Sequence, residues 1–415
     1  MKATDVAVVG GGAVGIAIAY YLSSAQVDCT VIDSGDFGNA CSFGNSGIIA
    51  VSHPVPLASR SSVADGMRWL FDRTGPFSIR PQASWHFATW MASFLRECVR
   101  EAPASAAALS NLARQSADYH AQLAENFGNA YGYRRTGWLH AYSTENALAR
   151  ALKALERSPD HQNVSVLDRE ELVTAEPKLT QHVVGGIYYR DDAHLQPMLF
   201  VRSLAERSRI LGAHLFPGVE ALDFRRNRDR VTAIVTSEGE LPCGHVVIAA
   251  GAWTATLLRK LRSYLPIQPG RGHSATFQSE ALPAVPLMLG EPRVTVTPQG
   301  QAVRVTSGLE LVGFNTRLNR ARWSKMLLVP QAYLTGWAPT NPAAWMGFRP
   351  MTPDDLPVID FIPRWSNVLV ASGHGTLGIT LAPATAAIIK DLVIGGRPNP
   401  DSSPFRASRF DRRRP

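Results

Sequence analysis

Hydrophobic and polar positions divide the start of the chain into a regular unit. Residues 5–9 are largely apolar, residues 10–15 are small and glycine-rich, and residues 16–22 are apolar over the length of a buried helix. Residues 29–32 form a second apolar run that ends on Asp33. The pattern predicts strand, turn, helix, strand. In the aromatic stretch 67–100, Phe87, Trp90, Met91, Phe94 and Leu95 recur at helical spacing, which predicts a helix with a core-facing stripe. Another helix is expected over 105–127, and both read as helices of a second domain. Strands are expected near 137–141, 185–189 and 213–219, and helices over 145–157 and 197–211. A buried strand at 245–250 breaks at Gly251 and would close the first sheet, with Gly251 beside its ligand. Residues 264–334 alternate apolar with polar, as an antiparallel sheet does. A strand at 368–371, a glycine-rich loop and a helix reaching 394 follow.

At 415 residues the chain is too long for one ordinary core, so two or three domains are expected. With 45% hydrophobic and 18% charged residues the composition is that of a globular protein. The net charge is +8, of which residues 401–415 carry +3 through five arginines against two aspartates. That basic tail reads as solvated chain, with contact to a membrane surface as the alternative. No motif supports nucleic-acid binding. Cys29, Cys41, Cys98 and Cys243 form no CxxC pair, which argues against a disulfide framework or a metal site and fits a reducing, cytoplasmic compartment. The first strand begins too early to leave room for a signal peptide. The uncharged run 368–389 contains glycines, a proline and threonines, and reads as strand, loop and helix rather than a membrane span.

The candidate chemistry lies at the glycines. Gly10, Gly12 and Gly15 stand at the GxGxxG spacing that permits a tight turn, close approach to a pyrophosphate and close helix packing. The following helix would direct unpaired N–H groups and a positive dipole end at the phosphates, and Asp33 would accept hydrogen bonds from ribose hydroxyls. Residues 38–47 are small and polar, which suits either close approach to a polar ligand or a plain loop. A second GxGxxG, at Gly373, Gly375 and Gly378, lacks a following acidic strand. Its helix is therefore expected to point at another part of the same cofactor.

These residues, with 41–47, 249–253, Leu265-Pro266-Ile267, Gly270-Arg271-Gly272 and 347–354, resemble the D-amino acid oxidase superfamily of flavoproteins, nearest its bacterial D-amino acid dehydrogenase branch. The resemblance covers nearly the whole chain. It implies an α/β fold: a Rossmann-like FAD-binding domain of the glutathione-reductase type, with an α+β substrate domain built on an antiparallel sheet. The expected divisions are 1–60, 155–258 and 340–400 for the FAD domain, 61–154 and 259–339 for the substrate domain, and 401–415 for the tail.

By the same resemblance FAD binds non-covalently, on Gly10, Gly12, Ala13, Val14, Gly15, Asp33 and Ser34, with Val219 at the adenine. Ser42, Asn45, Ser46, Gly47 and Ile48 line the path towards the flavin, with Ala250, Gly251, Trp253 and Gly347 close by. Gly375, Thr376, Leu377 and Gly378 cap its pyrimidine edge. A helix N-terminus there would stabilise the negative charge that develops as the flavin accepts a hydride. Arg349 matches the arginine that holds the substrate carboxylate, where a guanidinium anchors and orients together; the alternative is pairing with an acid such as Asp354. His53, His273 and His374 are candidate proton acceptors. His273 departs from the tyrosine usual in relatives, Cys41 from threonine and Asp355 from glycine. The activity implied is oxidative deamination of D-amino acids or cyclic D-imino acids, with electrons passed to a quinone or other carrier. An oxidase making hydrogen peroxide and a non-catalytic FAD-binding subunit are the alternatives.

Overall fold

A computed structural model describes residues 1–52, 75–80, 82–100, 103–156, 163–280, 282–395 and 400–411. His53 lies outside the described residues. The first unit forms as its pattern predicts: strand β1 (Thr4–Val9), helix α1 (Ala13–Ser24) and strand β2 (Cys29–Asp33). β1 runs parallel between β2 and the strand Gly239–Ile248, so that Val8 faces Val31 on one side and Val247 on the other. His214–Pro217 extends this parallel sheet beyond β2, and Val368–Ser372 extends it beyond Gly239–Ile248.

Parallel strands covered on both faces are apolar at every position. β1 shows why: Val6 and Val8 enter the core shared with α1, whereas Ala7 and Val9 enter a second core with Leu257, Leu258 and Leu265. The helix Gly378–Ile394 packs beside α1 and is buried at Ile379, Leu381, Ala384 and Ile389. A helix so apolar needs cover on more than one side. The helix Pro103–Asn126 supplies it through Leu109, Leu112, Ala113 and Leu123, and Ser116 Oγ accepts the Ala384 N–H at 3.2 Å. This helix, expected in the second domain, therefore belongs to the nucleotide-binding layer.

The second sheet places Ala343–Met351 beside Gln268–Gln278, then Ala302–Leu311 and Val294–Gln299, all antiparallel. It continues through Leu287–Leu289, Trp138–Tyr142 and Gly185–Tyr189 to Val164–Leu167. The last two strands come from a stretch expected in the FAD domain. Gly185–Tyr189 pairs with Trp138–Tyr142, and Val164–Leu167 pairs with Gly185–Tyr189, so both join the other sheet. Residues 400–411 are no solvated tail: Phe405 and Ala407 are buried in the two cores of the first domain, and the Ala407 N–H donates to Asp360 Oδ2 at 3.0 Å.

One buried carboxylate ties the far face of the second sheet together. Glu310 accepts from Arg271 and from His273 Nε2 at 2.9 Å, and Arg322 Nε lies 3.5 Å away. Burial alone would raise its pKa, but the bonds from His273 and Arg271 hold it at about 2. That contribution is complete above the ordinary glutamate range and is lost as pH falls through about 2. Glu310→Gln is expected to destabilise the protein by ~3 kcal/mol at neutral pH, because it leaves buried cations uncompensated. In urea unfolding, the gap between parent and variant should close as the pH is lowered below the normal carboxylate range.

Candidate cofactor and substrate site

A single cavity of about 620 Å³ runs along the carboxyl ends of the parallel strands. That is where ligands sit in open α/β sheets, and the size suits a cofactor. At one end it is walled by Gly10, Gly12, Ala13, Val14, Asp33 and Ser34, with Val219 opposite. Ser42, Asn45, Ala250, Gly251 and Trp253 also line it. Arg349, His374, Gly375, Thr376 and Gly378 close the far end.

The glycine turn is fixed by close approach. Gly10 has φ +114°, and a Cβ there would lie 2.4 Å from Ala249 O; one on Gly15 would lie 1.8 Å from Gly10 O. Asp33 Oδ2 accepts the Gly11 N–H at 2.6 Å and Oδ1 the Gly35 N–H at 2.8 Å. Burial pushes the Asp33 pKa up, and those two N–H bonds oppose the shift. Ser42 Oγ accepts from Ala13 N at 3.0 Å, joining the polar loop to the start of α1.

Residues 42–52 are held almost atom by atom. Arg304, buried on the second sheet, donates to Phe43 O at 2.7 Å and Asn45 O at 2.8 Å, and its Nε to Thr276 Oγ1 at 3.0 Å. Gln299 donates to Ser46 O at 3.1 Å. Thr380 Oγ1 donates to Ile48 O at 3.1 Å and accepts from Ala50 N at 3.2 Å. Asp192 Oδ1 accepts from Val51 N and Ser52 N at 2.8 and 2.9 Å, and burial raises its pKa to about 6.

Arg349 sits on Ala343–Met351 facing a gap in the neighbouring strand: a Cβ on Gly272 would lie 2.6 Å from its Cζ. Nη1 donates to Gly308 O at 2.5 Å, and burial lowers the arginine's pKa. Asp354 does not pair with it. Arg409, from the C-terminal segment, takes Asp354 through Nε at 2.7 Å and Nη2 at 3.3 Å, and donates to Leu356 O at 2.7 Å. The turn so pinned lies under the glycine loop: a Cβ on Gly375 would lie 2.9 Å from Asp355 Oδ1, and one on Gly373 2.6 Å from Thr352 Cγ2. Asp355 itself has φ +59°, a conformation in which glycine carries least strain.

Several expected residues stand behind the wall. Gly15, Ser46, Gly47, Ile48, Gly347 and Leu377 do not line this cavity. A Cβ on Gly347 would lie 2.1 Å from the Trp345 ring, so its role is to make room for that tryptophan. Side chains alternate along a strand, and His273 turns away from Arg349 towards Glu310, into a separate cavity with Arg322 and Met326. His374 lines the cofactor cavity, but its Nε2 is bonded to Thr385 Oγ1 at 2.9 Å and burial lowers its pKa to about 3. His273 therefore lies away from this cavity, whereas His374 lines it with its Nε2 already engaged. Sequence reasoning missed Arg304, Thr380 and Arg409. Each lies far along the chain from the residue it holds, and no spacing rule links such pairs.

Two helix N-termini, one glycine-lined cavity and an acidic group at the end of β2 fit an extended dinucleotide. The chain belongs to the family described as FAD dependent oxidoreductase (DAO), which matches residues 5–392. FAD is thus its cofactor, and the cradle at Gly10, Gly12 and Gly375 has the room the group needs. The chain is 31% identical to a D-amino acid dehydrogenase of Granulibacter bethesdensis, over 98% of this chain and 99% of that one. A D-amino acid dehydrogenase of Rhizobium johnstonii shows the same identity and coverage. The glycine oxidase of Geobacillus kaustophilus has the same fold, with a TM-score of 0.77, 22% identity and 98% of both chains covered.

Arg409→Met is expected to weaken FAD binding about tenfold, measured by titrating the apoprotein with FAD. Adding Asp354→Asn should cost nothing further, because both changes remove the same interaction.

Proposed function

We propose that this chain oxidatively deaminates D-amino acids or cyclic D-imino acids, such as hydroxy-D-proline, and passes the electrons to a quinone or other carrier. The observation that carries the reading is Arg349, a buried guanidinium in the wall of the cofactor cavity with glycine on the strand opposite. The similarity to D-amino acid dehydrogenases supports the same substrate class.

Arg349 would take the substrate carboxylate with two parallel N–H donors, fixing the α-carbon as well as adding affinity. Its anchorage to Gly308 O holds the guanidinium in place before substrate arrives. Bound FAD supplies the acceptor for the α-hydrogen as hydride. The N-terminus of Gly378–Ile394, at the same end of the cavity, stabilises negative charge there without reorganising. His374 stays neutral at physiological pH.

The test is anaerobic addition of D- and L-amino acids, cyclic imino acids and N-methylglycines to the purified holoprotein. Bleaching of the oxidised flavin band by D-amino or cyclic D-imino acids is the expected result, and a flavin that stays oxidised throughout overturns the reading. Reoxidation by a soluble quinone without peroxide is expected, and peroxide formed in air would identify an oxidase. Arg349→Lys keeps the charge but loses the planar fork, and should lower kcat/KM about a hundredfold.

A further inference from the structure

The indole of Trp345 is held between the cofactor layer and the sheet that carries Arg349. Trp345, Gly347 and Arg349 are alternate residues of the strand Ala343–Met351 and share one face of it. A Cβ on Gly347 would lie 2.1 Å from Trp345 Cη2, so the ring extends over Gly347 towards the arginine. Gly347 pairs across the sheet with Gly272, and the Arg349 guanidinium lies over that second glycine. Ring and guanidinium thus stand over neighbouring backbones about 5 Å apart. The same ring meets the loop of the cofactor path: a Cβ on Gly44 would lie 1.9 Å from Cε3 and 2.3 Å from Cδ2 and Cζ3. Gly44, Gly272 and Gly347 all lack the left-handed backbone that favours glycine. Each is bare where a side chain on the inner face of the sheet takes the place of its Cβ.

Loop and sheet are drawn together beside this ring. The bond from Arg304 to Thr276, a residue that alternates with Gly272, places Arg304 on the face of Arg349. From there it donates to the carbonyls of Phe43 and Asn45, the two neighbours of Gly44. These charge-assisted bonds pull the loop onto the sheet, and the indole stops it. Such a pair fixes a separation: a ring gripped between two backbones holds them about 7 Å apart. The loop runs back from Gly44 to Cys41, which lines the cofactor cavity with Arg349. Burial raises the pKa of the Cys41 thiol, and the Arg349 charge draws it back. The gap set at Gly44 is therefore continued at Arg349.

We propose that Trp345 is a positioning residue: as a spacer between Gly44 and Gly347 it sets the distance of Arg349, and of a carboxylate held there, from the cofactor. Arg349 would bind substrate whether or not that distance is right. Hydride transfer is more demanding, because the α-hydrogen leaves with its electron pair for FAD, the substrate becomes an iminium, and the reacting atoms must lie within about 3–3.5 Å. A thinner spacer should therefore slow the chemical step and leave substrate affinity nearly unchanged. The consequence for catalysis rests on the deamination reading; the wedge itself does not.

The test is anaerobic stopped-flow reduction of the full-length holoprotein by whichever of D-alanine, D-phenylalanine and D-proline bleaches the parent fastest. Trp345→Leu is expected to lower the limiting reduction rate about thirtyfold, with substrate and FAD dissociation constants each within about threefold of parental values. Trp345→Phe keeps an aromatic ring and should hold the rate within about threefold of the parent. Gly44→Ala puts a methyl where the ring already lies, so it should slow the parent and destabilise it to urea, and do neither in the Trp345→Leu background. Trp345→Phe as slow as Trp345→Leu, substrate affinity that falls in step with the rate, FAD lost from Trp345→Leu, or effects of Gly44→Ala that persist without the indole would each overturn the proposal. Should Trp345→Leu fail to fold, a parental rate and stability in Gly44→Ala would overturn it too. If no amino acid bleaches the parent, the enzymatic reading falls instead, and the urea coupling between positions 44 and 345 still decides whether the indole is the wedge.

Discussion

Backbone contact at Gly10 is the constraint on which the cofactor site depends. Its carbonyl meets α1 at Gly15, its Cα faces Ala249 O, and its N–H donates to Ile32 O at 2.9 Å. Three strands and a helix thus converge on a point where no side chain fits. This convergence opens the sheet at its carboxyl end and aims the N-terminus of α1 into the gap. The second helix, Gly378–Ile394, is brought to the same gap by the strand Val368–Ser372, which completes the parallel sheet. Two dipole ends facing one cavity follow from strand order.

The two sheets are coupled through the chain that passes between them. Arg304 and Gln299 reach from the second sheet to the carbonyls of residues 43, 45 and 46, and Thr380 reaches from the helix Gly378–Ile394 to residues 48 and 50. Burial draws the Arg304 pKa down to about 10, yet the side chain remains charged at neutral pH and its donors have partners. A change on the substrate side can thereby be felt along the cofactor path without any movement of the Gly10 turn.

The parts of this fold that show in the sequence are those set by local pattern. β1, α1 and β2 follow from apolar runs and three glycines, and Gly378–Ile394 follows from a strand ending in a glycine loop. Arg349 was identifiable only through a family resemblance, because a lone arginine beside Gly347 and Pro350 has no periodicity to mark it. The apolar face of Pro103–Asn126 fits either core equally well as far as its sequence goes. What decides is the unmet need of Gly378–Ile394 for cover, a property of a partner far along the chain. The basic tail shows the converse: its arginines suggest solvent, while its Phe405 is buried in the first core and its Arg409 is held by the carboxylate of Asp354.

The position of Arg409 has a bearing on how the molecule is made. The strand β1 is synthesised well before residue 409, yet the turn beneath Gly375 is pinned only once residue 409 exists. Contacts so distant in sequence form slowly and late. A growing chain can thus assemble the cradle at Gly10 well before the turn beneath Gly375 is firm, and tight retention of the cofactor waits on the segment that carries Arg409.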